Sequence, residues 1–156
     1  MKKAAVIGAG ASGLMAAYAA AKNGNQVTVF EKNEKAGKKI YITGKGRCNV
    51  TNDTSAEGFL ENVVRNAKFL KGCAYTFPPE KIMRFLEEGG LPLKVERGNR
   101  VFPASDKASD VTKCLERYCR NEGVEFHFQE GVLRLEKQGE GFLLVTEKGE
   151  YLFDCV

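Results

Sequence analysis

The stretch "KKAAVIGAGASGLMAAYAAAKNGNQVTVFEK", residues 2–32, decides the fold of this chain. It opens with a short apolar run and closes with a β-branched run, and both patterns are typical of strands. The alanine-rich segment between them ends at Asn23 and Gly24, where a helix is expected to stop. The stretch therefore predicts a strand, a glycine turn, a helix and a second strand.

The turn reads "GAGASG" and fits the spacing G-x-G-x-x-G. Gly8 permits a tight turn, Gly10 lets the backbone approach a pyrophosphate, and Gly13 lets the helix pack closely on the strand. Ala11 and Ser12 lie within the turn, and "LMAAYAAAKNG" after it is the predicted helix, whose first N–H groups can bind phosphate. Together these features are typical of a dinucleotide-binding turn.

Glu31 ends the second strand, 23 residues after Gly8. An acid near this spacing accepts hydrogen bonds from an adenosine ribose and repels a 2′-phosphate, which disfavours NADP. NAD and FAD share the adenosine half, so the pattern does not separate them. The alternative is a glycine-rich turn in an unrelated α/β domain, with Glu31 merely solvated.

Composition narrows the class of protein. A chain of 156 residues that is 43% hydrophobic has about the size of one domain. Its net charge of +4 is mild, and its acids and bases are interspersed, so we expect no nucleic-acid partner. Five cysteines without a C-x-x-C pair, and a single histidine, support neither a disulfide framework nor a metal site. They indicate reduced thiols in a cytoplasmic protein.

The N-terminus also resembles a signal peptide or a membrane span, since "MKK" precedes an uncharged run from Ala4 to Ala21. That run is mostly alanine and is interrupted by glycines, so its hydrophobicity is low for insertion. We therefore expect neither secretion nor a membrane partner.

A long basic segment, "KNEKAGKKIYITGKGRCNVTN", residues 32–52, follows the second strand. A plain NAD-binding domain would lead quickly into another crossover helix here, so the segment favours FAD. Lys38, Lys45 and Arg47 can offset phosphate charge, and Asn49 can both donate to and accept from a polar cofactor. Arg47 is the base that we favour as a ligand.

At this point the chain resembles a known family. The glycine turn, the pair Glu31–Lys32, and the segments "AGKKIYITGKGRCNVTN" and "RVFPASDKASDV" together resemble the BaiN-like, aminoacetone-oxidase-like flavoproteins of the glutathione-reductase-like superfamily. The resemblance implies an α/β, Rossmann-like FAD-binding domain, with a parallel sheet flanked by helices and an antiparallel β-meander. It also implies that residues 1–156 are the N-terminal part of that domain, without the substrate domain and the C-terminal part.

By that resemblance the FAD contacts form two groups. The adenosine-side group has the glycine turn at the pyrophosphate, Glu31 at the ribose, Lys32 beside the adenosine and the main chain near Val132 at the adenine. The second group runs along the pyrophosphate, the ribityl chain and the flavin, and comprises Gly44, Gly46, Arg47, Cys48 and Asn49.

Cys48 allows a further hypothesis. A thiolate beside the flavin would be able to form a redox pair with it, if Arg47 depressed the pKa of the thiol. No resolving cysteine lies close in sequence, and small buried cysteines are common, so a packing role is favoured.

The rest of the chain predicts further elements of one domain. "SAEGFLENVVRNAKFL" reads as one helix capped by Thr54 or Ser55, "PPEKIMRFLEEGG" as a second, and "DKASDVTKCLERYCRNEG" as a third. "LPLKVERGNRVFP" reads as a hairpin, "VEFHF" as a buried strand carrying His127, and "VLRLEK", "FLLVTEK" and "YLFDCV" as the meander.

The sequence thus predicts the FAD-binding portion of a flavin-dependent oxidoreductase. The open alternatives are an NAD-dependent dehydrogenase domain and a noncatalytic nucleotide-binding or flavin-sensing module. We expect a small-molecule substrate and NAD(P)H as a candidate electron donor, and we identify no catalytic side chain. The 156-residue piece alone is expected to retain little FAD, to self-associate and to be inactive.

Overall fold

A computed structural model describes all residues from 1 to 156. The chain divides into two compact units, a first unit of Met1–Ile40 with Leu115–Val156 and a second unit of Tyr41–Cys114. The strands are β1 (Lys3–Ile7), β2 (Gln26–Glu31), β3 (Thr51–Asn52), β4 (Leu93–Glu96), β5 (Arg100–Pro103), β6 (Glu125–Phe128), β7 (Val132–Gln138), β8 (Gly141–Thr146) and β9 (Glu150–Phe153). The helices are α1 (Ala11–Lys22), α2 (Ala56–Glu61), α3 (Ala67–Thr76), α4 (Pro79–Glu88) and α5 (Ala108–Asn121), and a 3-10 segment covers Ile40–Gly46.

A parallel sheet with the strand order β1-β2-β6 forms the first unit's frame. β1 pairs with β2 from Lys3–Gln26 to Ile7–Phe30, and α1 connects the two strands. All of β2 after its first residue is buried, because apolar side chains cover both faces of a parallel sheet. The predicted strand, turn, helix and second strand are therefore confirmed.

The antiparallel meander β7-β8-β9 is the second part of the first unit. Its inner face packs on the parallel sheet, where Ala5, Phe30, Leu144 and Phe153 form one buried cluster. The meander predicted from the sequence is confirmed, and with it the Rossmann-like fold class.

β6 differs from its prediction as a buried strand. It lies at the edge of the three-stranded parallel sheet, so Phe126, His127 and Phe128 are only half-buried and Glu125 is exposed. Its last residue, Phe128, pairs with Glu31, which brings the carboxyl ends of β2 and β6 together.

The second unit contains a small sheet with the order β3-β5-β4. Its β4–β5 hairpin turns at Gly98 and Asn99, which have φ angles of +78° and +55°, as the sequence predicted. α4 begins with Pro79 in its first turn, also as predicted. All five cysteines of the chain are free, and none of its helices combines the length and the apolar character needed to cross a membrane.

The single helix predicted over "SAEGFLENVVRNAKFL" is wrong, because the chain forms α2 and α3 instead. The Ser55 hydroxyl caps α2 by accepting the Gly58 N–H at 3.1 Å. The helix then ends at Asn62, and Asn66 takes a left-handed φ of +58° before α3 begins. Asparagine tolerates this conformation, and the two β-branched valines between the asparagines weaken helix propagation.

Candidate functional site

Two glycines shape the turn between β1 and α1. Gly8 has a φ of +98°, a region that favours glycine. A Cβ at Gly13 would lie only 1.9 Å from the carbonyl oxygen of Gly8, so no side chain fits there. A Cβ at Gly10 would meet no atom within 4 Å. Gly8 and Gly13 thus serve the turn itself, whereas the backbone at Gly10 is open to a ligand.

The N-terminus of α1 has the features of an anion site. Gly10 occupies the N-cap position and provides no side-chain hydrogen bond, and the first turn contains no acid. Ala11 and Ser12 are exposed. The first N–H groups of a helix lack intrahelical acceptors and carry the positive end of its dipole, so this end can bind a phosphate.

The Glu31 carboxylate is buried, with 8% of the residue exposed, and it is fixed against the glycine turn. Its Oε2 accepts the Ala9 N–H at 2.8 Å, and its Oε1 accepts the Asn33 N–H at 2.9 Å and the Asn33 side-chain amide. A carboxylate has roughly four acceptor positions. One acceptor position of the carboxylate therefore remains open, and the predicted contact with a ribose hydroxyl needs such a position.

Asn33 contacts two of the predicted site residues, and the sequence interpretation missed it. Its amide donates to Glu31, and its Oδ1 accepts the Lys38 ammonium at 2.9 Å. Lys38, which the sequence assigned to phosphate charge, is therefore joined to Glu31 through Asn33. The available signal was the position of an asparagine two residues after the acid, a spacing typical of local side-chain to backbone bonds.

The Gly44–Asn49 loop of the second unit has an unusual left-handed backbone. Gly44, Lys45, Gly46 and Cys48 have φ angles of +55°, +57°, +87° and +63°. Such a backbone costs about 1–3 kcal/mol for each residue other than glycine, and such costs concentrate at ligand sites. The Asn49 amide holds the loop by donating to the Thr51 and Val101 carbonyl oxygens at 2.7 and 3.1 Å.

Arg47 is bound within the second unit. Its guanidinium forms a bidentate ion pair with the Glu96 carboxylate at 2.8 and 3.1 Å, and its Nη1 also donates to Asp106 at 3.1 Å. It lies 4.1 Å from the centre of the Phe102 ring. The Lys94 ammonium forms ion pairs with the same two carboxylates. The guanidinium lowers the pKa of Glu96 chiefly by hydrogen bonding, and Lys94 does the same for the pKa of Asp106.

The predicted contact of Arg47 with phosphate stays a prediction, and the ion pairs indicate a second role, that of holding the loop. The substitution Glu96→Gln distinguishes these two roles of Arg47. If Arg47 mainly holds the loop, we expect the dissociation constant for FAD to rise about 2- to 5-fold, the effect of losing a partly exposed ion pair. If Arg47 mainly contacts phosphate, removal of a competing carboxylate should tighten FAD binding instead.

The matched control is Glu80→Gln, which removes the same charge from an exposed pair with Arg84 on α4. Titration with FAD measures the dissociation constant for the full-length protein and for each of its two variants. Tighter binding by Glu96→Gln, with no change in Glu80→Gln, would contradict the holding role.

Cys48 is buried, and burial raises the pKa of its thiol. A redox-active cysteine needs the opposite shift, because the thiolate is the reactive form. The structure therefore supports the packing role for Cys48.

Comparison with known proteins gives related chains. A family model described as "HI0933-like protein Rossmann domain" matches residues 2–155. A 3-dehydro-bile acid delta(4,6)-reductase of Clostridium scindens is 34% identical over 100% of this chain and 38% of its own length. A ribosomal RNA dihydrouridine synthase of Escherichia coli is 28% identical over 90% of this chain and 34% of its own length.

The solved structure of a flavocytochrome c3 fumarate reductase in an open conformation has the same fold, with a TM-score of 0.72, 20% identity, and coverage of 99% of this chain and 32% of that one. The comparisons confirm the predicted family resemblance and the Rossmann-like fold class. This chain spans little more than a third of the length of these curated relatives. The individual FAD contacts stay predictions.

Proposed function

Because this chain belongs to the HI0933-like Rossmann family, we propose that it is the FAD-binding portion of a flavin-dependent oxidoreductase. The observation that carries the proposal is the buried Glu31 carboxylate, held against the glycine turn by the Ala9 N–H. Such an acid beside an open helix N-terminus suits the ribose and pyrophosphate of one ligand. Glu31 also disfavours a 2′-phosphate at this position.

In this proposal the residues of this chain bind and orient the cofactor. Gly10, Ala11 and Ser12 supply main-chain N–H groups to the pyrophosphate, and Glu31 accepts from the ribose. The Gly44–Asn49 loop supplies backbone groups toward the flavin side. FAD supplies the hydride chemistry when bound, so the chain needs no catalytic side chain of its own.

The names of two relatives suggest the reaction class of the whole protein. A 3-dehydro steroid with a delta(4) double bond carries that bond in conjugation with a carbonyl group. Dihydrouridine is uridine whose carbon–carbon double bond, also conjugated with a carbonyl, has been reduced. We infer that the whole protein reduces a carbon–carbon double bond conjugated with a carbonyl, to which a hydride and a proton are added.

The substrate and the partners belong to the same proposal. NAD(P)H is the proposed electron donor, a small molecule the proposed substrate and the cytoplasm the proposed location. One relative acts by name on ribosomal RNA, so the expected lack of a nucleic-acid partner has to be tested alongside.

The experiment uses the native full-length protein, reduced without oxygen by NADH or by light. It is mixed with a 3-oxo-delta(4) steroid or with an unmodified ribosomal RNA fragment, and the flavin absorbance is followed. We expect one of them to restore the oxidised spectrum, with the saturated steroid or dihydrouridine-containing RNA as inert control. If dioxygen reoxidises the flavin and neither the steroid nor the RNA does, the reaction class is contradicted. A protein that contains no flavin would favour the NAD-dependent or the noncatalytic alternative.

A further inference from the structure

A second buried carboxylate, Glu130, lies in the first unit just after β6 and only 4% of the residue is exposed. Its Oε1 accepts the Thr146 hydroxyl of β8 and the Tyr151 hydroxyl of β9, both at 2.8 Å. Its Oε2 lies 3.1 Å from Nδ1 of His127. These hydrogen bonds outweigh burial and lower the pKa of Glu130, so the carboxylate is charged at neutral pH.

The turn that carries Glu130 is bonded to the segment that carries Glu31. The Glu130 N–H donates to the Glu31 carbonyl oxygen at 2.9 Å, and the Gln129 N–H donates to the Asn33 carbonyl oxygen at 3.0 Å. A Cβ at the following residue, Gly131, would lie 3.3 Å from the Lys32 Cβ, so the two segments are in close contact.

Burial of a charged group costs free energy, and replacing it with apolar residues often stabilises a protein. A geometric role explains why such a group is present here. The Glu130 carboxylate ties the turn to two strands of the meander, and the main-chain bonds of the turn tie it to residues 31–33. The turn that this buried side chain holds thus lies between two parts of the predicted adenosine site, Glu31 and the main chain near Val132.

We propose that Glu130 is a positioning residue for the adenosine half of the dinucleotide, acting through Thr146, Tyr151 and the turn at residues 129–131. The inference rests on the proposed function, because that function assigns Glu31 to the ribose. Glu130 itself is not assigned a contact with the cofactor.

Tyr151→Phe and Thr146→Val test this inference. Each removes one hydroxyl donor to Glu130 and keeps the shape of its side chain. Thr146→Val also removes the acceptor of the Lys148 and Gly149 N–H groups, so Tyr151→Phe is the cleaner variant. Loss of one hydrogen bond to a charged group is expected to raise the dissociation constants for ADP and for FAD by the same factor, about 10-fold. ADP carries only the adenosine half, so equal factors locate the effect there. Calorimetric titration of the native full-length apoprotein measures both ligands.

The matched control is Tyr18→Phe, which removes a hydroxyl that accepts from Lys22 on α1 and should leave both constants unchanged. A lower Tm with unchanged ADP and FAD affinity in the Tyr151 and Thr146 variants would show a merely structural role and overturn the inference. Weakened FAD with unchanged ADP would overturn it as well. If Gly10→Ala and Glu31→Ala also leave ADP binding unchanged, the proposed function itself fails.

Discussion

Gly13→Ala is expected to lower the Tm of the native protein sharply and to release its FAD. The new methyl group would lie 1.9 Å from the Gly8 carbonyl oxygen and 3.4 Å from a methyl group of Val6. A backbone oxygen cannot move aside as a flexible side chain can, so α1 must shift away from β1. We expect a loss of stability at or above the upper end of the range of about 1–3 kcal/mol for overpacking.

Gly10→Ala is the matched variant, because it adds the same methyl group where no protein atom lies within 4 Å. The φ of Gly10 is −79°, which alanine adopts without strain. We expect the Tm of the FAD-free protein to stay unchanged. FAD binding should weaken about 10- to 150-fold, because the methyl group would displace the pyrophosphate from a charge-assisted hydrogen bond to the backbone. Normal FAD affinity in Gly10→Ala would contradict the assignment of this turn.

Glu31→Ala is expected to weaken FAD binding by about 1.5–3 kcal/mol, or about 10- to 150-fold, the usual contribution of a charge-assisted hydrogen bond. It also removes the acceptor of the Ala9 N–H, so the Tm should fall as well. Glu31→Gln keeps an oxygen acceptor and should give smaller changes in both. Binding of ADP should weaken as much as binding of FAD, because both contain the ribose.

Glu34→Ala provides the control for Glu31, since it removes an equal charge three residues away at an exposed position. It should change neither the Tm nor the affinity. An unchanged dissociation constant in Glu31→Ala would exclude Glu31 as the ribose ligand.

The parts of the fold that the sequence predicted well depend on contacts between neighbours in the chain. The glycine turn, α1 and the acid at the end of β2 lie within residues 3–31, and each follows from local spacing. The hairpin turn at Gly98 and Asn99 is local in the same way. The glycine turn does not separate FAD from NAD; the long basic segment at residues 32–52 favours FAD, and the resemblance to a family adds to that.

The parts that the sequence did not predict depend on distant partners or on competing local preferences. The sequence favours Arg47 as a cofactor ligand in a glycine-rich loop, and it gives no sign of the carboxylate partners, which lie 49 and 59 residues away. Glu130 carries no local sequence signal, because its hydroxyl donors lie on β8 and β9, 16 and 21 residues away. At Asn62, the preference of asparagine for the end of a helix overrides an apolar pattern that fits a continuous helix.

The most direct test of the central claim is the visible absorbance spectrum of the purified native full-length protein, followed by identification of the nucleotide released on denaturation. We predict the spectrum of an oxidised flavin and the release of FAD in about equal amount to the protein. A colourless protein that binds NAD and does not take up added FAD would contradict the claim.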